Sequence, residues 1–510
     1  EIYTLSLHDA LPICVSFMVG IGIVLSRKNT STHDFYLGGR QLGPFVTAMS
    51  AEASDMSSYL LMGVPGVALA GLVGMNGSFA EACWTVIGLS LGTYINWLLV
   101  AKRLRIYSEE VKANTIPDFF ANRFGNGNEM ILMVSAVIII IFFVPYTASG
   151  FASVGKLFNS LFGWDYHVSM IVGAIIIATY TVLGGFLAAS TTDFIQSIIM
   201  TFALLIVLVY GLEVGGGIDG VLKSTNDVPN YFSLSGTDGS FGAITILSTL
   251  SWGLGYFGMP HILLRFMAIK DDKKLKLSRR IASVWVVIAM AVAVTIGILG
   301  YAFVNANNLL GIDGFDPERI IIYIANTLSN INPFFAIIAG LIISGILASI
   351  MSTSDSQMLA AASSVSENIV KRGISRNIDD KKQMVIARVT VLIITVIGIF
   401  FAWNQNSSVF RIVSFAWAGF GASFGPLMLF SLFWRRLNKW GAIAGISSGA
   451  IMIFVWKFAV AKLGGIFAIY ELLPAFLTSC IAIIVISLIT GKPGDDTVEK
   501  FDHEIGRAHV

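Results

Sequence analysis

Residues 50–63 read SAEASDMSSYLLMG, two acids, four serines and a tyrosine set in an otherwise apolar stretch. An apolar run of roughly 20 residues crosses the ~30 Å hydrocarbon core of a bilayer as a helix, and residues 42–71 are long enough to do so. Asp55 falls about midway along that run. An ionised carboxylate at the bilayer centre costs about 3 kcal/mol even on lenient insertion scales, so it must face protein or water and seek a partner. From Glu52 to Ser58 strongly apolar residues are scarce, and Ser and Asp side chains compete for backbone hydrogen bonds. A helix break is therefore expected here, with carbonyls freed where protein or a water-filled cavity surrounds them. Two readings stand: Asp55 caps a kinked half-helix, or capping and cation attraction coexist at one break.

The rest of the chain places that stretch in a membrane. Of 510 residues 55% are hydrophobic and 13% charged, and the mean hydropathy is +0.78. Soluble domains carry about 25% charged residues, so this chain has too little polar surface for a water-soluble globule. The formal charge of +2 and the lack of any basic-aromatic motif speak against nucleic acid as a partner. Cys14, Cys83 and Cys480 are scattered in apolar surroundings, which fits neither a disulfide framework nor a CxxC site.

Thirteen apolar stretches are long enough to span: 11–26, 42–71, 78–101, 129–156, 166–185, 187–212, 239–267, 281–305, 332–366, 384–403, 408–434, 440–461 and 468–490. The expected fold class is thus an all-α membrane protein with thirteen transmembrane helices. Basic residues collect at alternate ends, as RK at 27, AKRLR at 101, KDDKKLKLSRR at 270, KRGISRNIDDKK at 371 and WRRLNK at 434. The positive-inside rule then puts the C-terminus in the cytoplasm and the N-terminus outside. Residues 1–13 and 504–510 look like translated sequencing-adaptor DNA, so native sequence is expected from about Cys14 to about His503, and His8 and His509 carry no functional weight. Within it the expected parts are a leading helix and loop (14–41), a five-helix block (42–212), a second such block (239–434), two trailing helices (440–490) and a solvated cytoplasmic tail (491–503).

A second break is expected in WGLGYFGMP, residues 252–260, where glycine and proline alternate with aromatics at the start of the second block. Paired interruptions at corresponding places in two blocks point to an inverted-repeat secondary transporter. A third feature is ASIMSTSDSQML, residues 348–359: a helix puts Ser349, Ser352, Thr353 and Ser356 on one face. Hydroxyl stripes serve close helix packing; they also suit a hard cation, which wants several oxygen ligands, if freed carbonyls lie opposite.

These residues stand in segments that resemble the sodium:solute symporters, and within them the bacterial members that carry proline. The matching segments are YLGGRQLGPFVTAMSAEASDMS, LLMGVPG, TIPDFFANRF, YTASG, LGGFLAASTTDFIQS, WGLGYFGMPHILLRFMA, MSTSDSQ and SFAWAGFGASFGP, in order from about residue 35 to 435. The resemblance implies a LeuT-type fold of two inverted five-helix repeats with a leading helix and trailing helices. It implies sodium bound by the backbone carbonyls of Ala53, Met56 and Ser349 and the hydroxyls of Ser352 and Thr353, with Asp55 in electrostatic support and Arg40 in a segment tied to coupling. A second sodium at Asp193, Asp355 and Ser356 beside Ser352 is weighed against a hydrated, structural role for the two acids near the cytoplasmic mouth. The solute carboxylate would meet polar groups at the first break, including Ser57, its ring would lie among Tyr146, Trp252, Tyr256 and Pro260, and Tyr59 is counted with these solute residues. This chain departs from the pattern at Glu52, Ser58, Tyr59 and Met259, beside the expected pocket.

The resemblance implies sodium-coupled uptake of proline by alternating access in the bacterial inner membrane; another small amino acid, a betaine or a monocarboxylate is the alternative cargo. The competing class is a non-transporting sensor or channel-like relative. The sequence shows no appended signalling domain, and its polar residues gather at one depth rather than along a pore. No enzyme is expected: GISSG at 445–449 fits G-x-S-x-G but lies in an apolar span, not a strand-to-helix elbow. GLSLG at 88–92 reads as tight helix packing. His261 reads as a structural residue, and Glu81, Arg265 and Lys457 as paired or snorkelling charges. The sequence sets no oligomeric state; one chain holds the whole expected site.

Overall fold

The computed structural model describes residues 36–509 except 126–127, 240, 312–313 and 375–377, together with Ser16 and Gly20. The expected leading helix, apart from Ser16 and Gly20, and residues 1–13 lie outside the described residues, as do the side chains of 504–510.

Apolar composition and helix capping explain the architecture together. The first broken span comprises α1 (Pro44–Asp55) and α2 (Val64–Ala70), joined by a π turn over Tyr59–Gly63. It is followed by α3 (Phe79–Leu99), α4 (Glu129–Phe162), α5 (Tyr166–Gly184) and α6 (Phe186–Val214). The second broken span is α7 (Ala243–Leu250), a 3-10 segment over Ser251–Gly258, and α8 (Pro260–Ala268). Then come α9 (Leu275–Ala306), α10 (Pro333–Ser363), α11 (Asp380–Phe401) and α12 (Val409–Phe433), with α13 (Lys439–Val455) and α14 (Leu472–Ile489) trailing as a packed pair. Among the described residues ten helices are long and apolar enough to cross a membrane, and the two broken spans add the interrupted members of each block.

Sequence sets the boundaries locally. Ser78, Asn332 and Asn438 each accept a hydrogen bond from the backbone N–H three residues on, capping α3, α10 and α13. Gly185 has φ +78° and turns the chain sharply from α5 into α6. Among the described residues the only extended pairing is one parallel bridge, Leu42 with Ile269.

The GLSLG motif packs within the chain. A Cβ on Gly88 or Gly92 of α3 would collide with the backbone of Leu250 or Gly253, so the small residues let α3 press on the second break. The tail, read as solvated, folds into a helix, Asp495–His509, whose Phe501 ring is buried under the Arg123 guanidinium. One aromatic in a charged segment is enough to dock it.

Candidate functional site

The first break forms at the expected residues. The α1 helix stops at Asp55, Met56 takes φ −71° and ψ 68°, and Ser57 N–H turns back to the Asp55 carbonyl at 2.7 Å. Asp55 is fully buried, and its Oδ2 accepts a hydrogen bond from the Tyr256 hydroxyl at 2.6 Å, which ties the first break to the second. Its other oxygen has no partner among the described residues.

The hydroxyl face of α10 meets this break. Ser352 Oγ donates to the Ala53 carbonyl at 2.7 Å and lies 3.3 Å from the Ser349 carbonyl, bringing three of the expected sodium oxygens together. Ser349 turns its own hydroxyl to Ile346 within the helix, leaving its carbonyl for the site. Thr353 Oγ1 is buried with no partner among the described residues, and Met56 sits at the break one turn beyond Ala53. Carbonyls of a broken helix facing hydroxyls of an intact one are oxygen donors of the kind a hard cation takes.

The three residues weighed for a second sodium are joined by a cation belonging to the chain. Arg265 of α8 donates through Nη2 to Asp193 Oδ2 at 3.0 Å and to Ser356 Oγ at 2.6 Å, and through Nε to Ser50 Oγ at 3.0 Å. Ser50 donates to Asp193 at 2.7 Å, and Ser356 to Asp355 at 3.1 Å. Asp193 and Asp355 are both fully buried, so neither stands in a hydrated mouth in this arrangement. The pairing read for Arg265 thus has a partner in Asp193; Glu81 likewise pairs with Arg411 and Lys457 with Glu471.

Of the expected solute residues, Ser57, Tyr59, Tyr146, Trp252, Tyr256 and Pro260 are all buried. Tyr59 and Trp252 have ring centroids 6.5 Å apart. Sequence reasoning did not single out Phe410, Trp417 and Tyr470, which close around Trp252 with centroids at 5.2, 6.3 and 5.2 Å. Trp417 Nε1 also donates to the Trp252 carbonyl at 2.7 Å, fixing the second break. The available signal was SFAWAGFGASFGP, whose polar-capable Trp stands among small residues. Glu52 points elsewhere than expected: Trp97 Nε1 and Thr93 Oγ1 of α3 donate to its Oε1 at 2.9 and 3.2 Å. This departure is in the α1–α3 contact.

Polar contacts link segments at both ends of the bundle. At one, Arg40, with φ +54°, donates to the carbonyls of Met267 at 2.6 Å and Ala113 at 2.8 Å, while Leu42 pairs with the backbone of Ala268 and Lys270. At the other, Glu318 pairs with buried Lys156 at 2.7 Å and accepts the backbone N–H groups of Val409 and Phe410 at 3.0 and 3.1 Å, capping α12. That pair borders a cavity of about 590 Å³ also lined by Asn76, Asp316, Arg319, Asn406 and Arg411.

Residues 35–449 match the model of the sodium:solute symporter family. The chain belongs to that family. The symporter is 41% identical over 488 residues to the high-affinity proline transporter PutP of Bacillus subtilis, covering 95% of this chain and 98% of that one. It is 42% identical over 496 residues to the sodium/proline symporter of Haemophilus influenzae, with 95% of each chain covered. Among solved structures it is similar to a Na+-coupled sialic acid symporter in a substrate-bound outward-open state, with a TM-score of 0.76 at 17% identity over 96% of this chain and 98% of the other. MhsT in complex with L-phenylalanine is more distant, with a TM-score of 0.50 at 13% identity over 87% of this chain and 97% of the other. These structural likenesses are of fold, and they bear out the LeuT type that the resemblance implied. A symporter of this family and fold is a transporter, not an enzyme.

Proposed function

We propose that this symporter takes up L-proline with sodium by alternating access, in the inner membrane of a bacterium. The single observation carrying the reading is the Ser352 hydroxyl on the Ala53 carbonyl, which joins the broken α1 to the intact α10 where a cation would lie. Proline comes from the relatives, two of which are named for it. Sodium would be held by Ala53, Met56, Ser349, Ser352 and Thr353 with Asp55 beside it, and the solute by Ser57, Tyr59, Tyr146, Trp252, Tyr256 and Pro260. Thirteen spans, with the N-terminus outside and the C-terminus cytoplasmic, put the Glu318 latch on the outer face and the Arg40 tie on the inner one.

Sodium joining α1 to α10 stabilises one arrangement of the two, raises solute affinity, and by linkage is itself bound more tightly when solute is present. Each sodium crossing the whole field adds about 2.3 kcal/mol per 100 mV to the drive. In this arrangement the Arg265 guanidinium supplies the positive charge at Asp193, Asp355 and Ser356, and a second sodium there would have to displace it.

The test is uptake of labelled L-proline into proteoliposomes with and without an inward sodium gradient, beside Asp55→Asn. Sodium-dependent accumulation that the variant loses is expected. Folded protein that takes up no proline would sink the proline reading and turn attention to another small amino acid, a betaine or a monocarboxylate.

A further inference from the structure

Three basic runs of the chain find acids within it: Arg105 pairs with Glu109, Arg372 with Asp118 and Arg435 with Asp502. The run KDDKKLKLSRR, residues 270–280, does not. It holds six basic residues against two acids, and among the described residues none of the six pairs with a carboxylate. Lys270, Lys273, Lys274, Lys276 and Arg280 are exposed. Like charges gathered without counter-charges repel one another and attract an anionic partner.

The helix that follows indicates the kind of partner. Lys276, Arg280, Val284 and Ile288 stand four residues apart on α9 and are all exposed, so one face of the helix passes from charged to apolar within a turn. Alongside, α3 continues the apolar surface with exposed Leu91, Tyr94 and Leu98, and the Arg279 guanidinium lies over the Tyr94 ring at 5.5 Å. No acid stands in the first turn of α9 and Lys274 gives it no side-chain cap, so the positive end of the helix adds to the field of the basic side chains. Basic side chains, an aromatic ring beside them and an apolar face running on from both follow the order of a lipid at the membrane surface: anionic headgroup, interface, acyl chains. A water-soluble anion would use only the first of these.

We propose that residues 270–280, with the adjoining faces of α9 and α3, dock an anionic phospholipid, its headgroup phosphate on Lys276, Arg279 and Arg280 and its acyl chains along Val284 and Ile288. The orientation proposed above puts that lipid in the inner leaflet. The surface is joined to the segment that Arg40 holds: Ser278 Oγ donates to the Pro44 carbonyl at 2.8 Å, and the Lys270 N–H to the Leu42 carbonyl at 3.0 Å. A headgroup on this loop therefore bears on the start of α1.

The experiment is thermal stabilisation of the purified protein titrated with dioleoylphosphatidylglycerol, dioleoylphosphatidylcholine or inorganic phosphate. The unaltered chain is compared with the triple variant Lys276→Gln, Arg279→Gln, Arg280→Gln and with Lys381→Gln, Lys382→Gln, Lys439→Gln, which removes the same charge elsewhere. Phosphatidylglycerol is expected to stabilise the unaltered protein where phosphatidylcholine and phosphate do not. At about fivefold per charge beside a headgroup, the first variant should need at least tenfold more phosphatidylglycerol for half the effect, while the second stays within twofold. Equal response to the two lipids, or equal loss in the two variants, overturns the inference; stabilisation by inorganic phosphate to the same extent overturns it in favour of a phosphate site. Where the first variant does not fold, Lys276→Gln and Arg280→Gln singly decide, each expected to cost about fivefold. Proline uptake into vesicles of equal parts phosphatidylcholine and phosphatidylglycerol is read beside these titrations. No uptake by protein that binds the lipid as expected would sink the transport reading and leave the lipid surface standing.

Discussion

Ser352 and Ser356 stand one turn apart on α10 and meet different partners, a carbonyl of the first break and the Arg265 guanidinium. The Ser352 hydroxyl lies within reach of the Ala53 and Ser349 carbonyls, whereas the Arg265 guanidinium is held by Asp193, Ser50, Ser356 and the His261 carbonyl. Ser352→Ala removes one oxygen, and at about 1.4 kcal/mol per tenfold the expected rise in half-saturating sodium is roughly tenfold, read from uptake against sodium concentration. Arg265→Met leaves Asp193 buried without its partner, a loss of about 3–5 kcal/mol expected as a large fall in Tm in detergent. Adding Asp193→Asn should recover much of it, and strict additivity of the two changes would contradict the coupling.

At the scale of elements, the second break depends on α3 as much as on its own glycines. Gly92 faces Gly253 across a contact with no room for a methyl group, so Gly92→Ala should push α3 off the break and cost about 1–3 kcal/mol, seen as a lower Tm with reduced uptake. Gly242→Ala, at the start of α7, has open space around it and negative φ, and should be close to neutral. Equal effects of the two would show that the α3 contact is not what holds the break. Trp417 is the other support, donating to Trp252 from α12.

Across the whole molecule the central residues are buried, with Arg40 bonding across one end and Glu318 with Lys156 across the other. Glu318 is the more exposed to test, because one carboxylate both neutralises a buried lysine and caps α12. Glu318→Ala should slow net proline uptake at least tenfold while sodium-dependent proline binding to the purified protein stays within twofold. Loss of binding would mean that the latch shapes the site itself rather than access to it.

The break at Asp55 was legible in the sequence because a carboxylate and four serines in a membrane span leave the backbone few alternatives, and the hydroxyl face of residues 349–356 followed from helical periodicity. The ten long helices followed from hydropathy for the same reason. What the sequence could not supply were directions across space. Glu52 and Asp55 stand three residues apart, yet one is held by Trp97 and Thr93 of α3 and the other by Tyr256 at the second break. Arg265 reads as one more charge in an apolar helix until α6 and α10 bring Asp193 and Ser356 to it. Composition and periodicity determined which segments enter the membrane and where they break; partner choice among buried polar groups was decided only by packing, because it depends on residues far apart in the chain sharing one depth and one face.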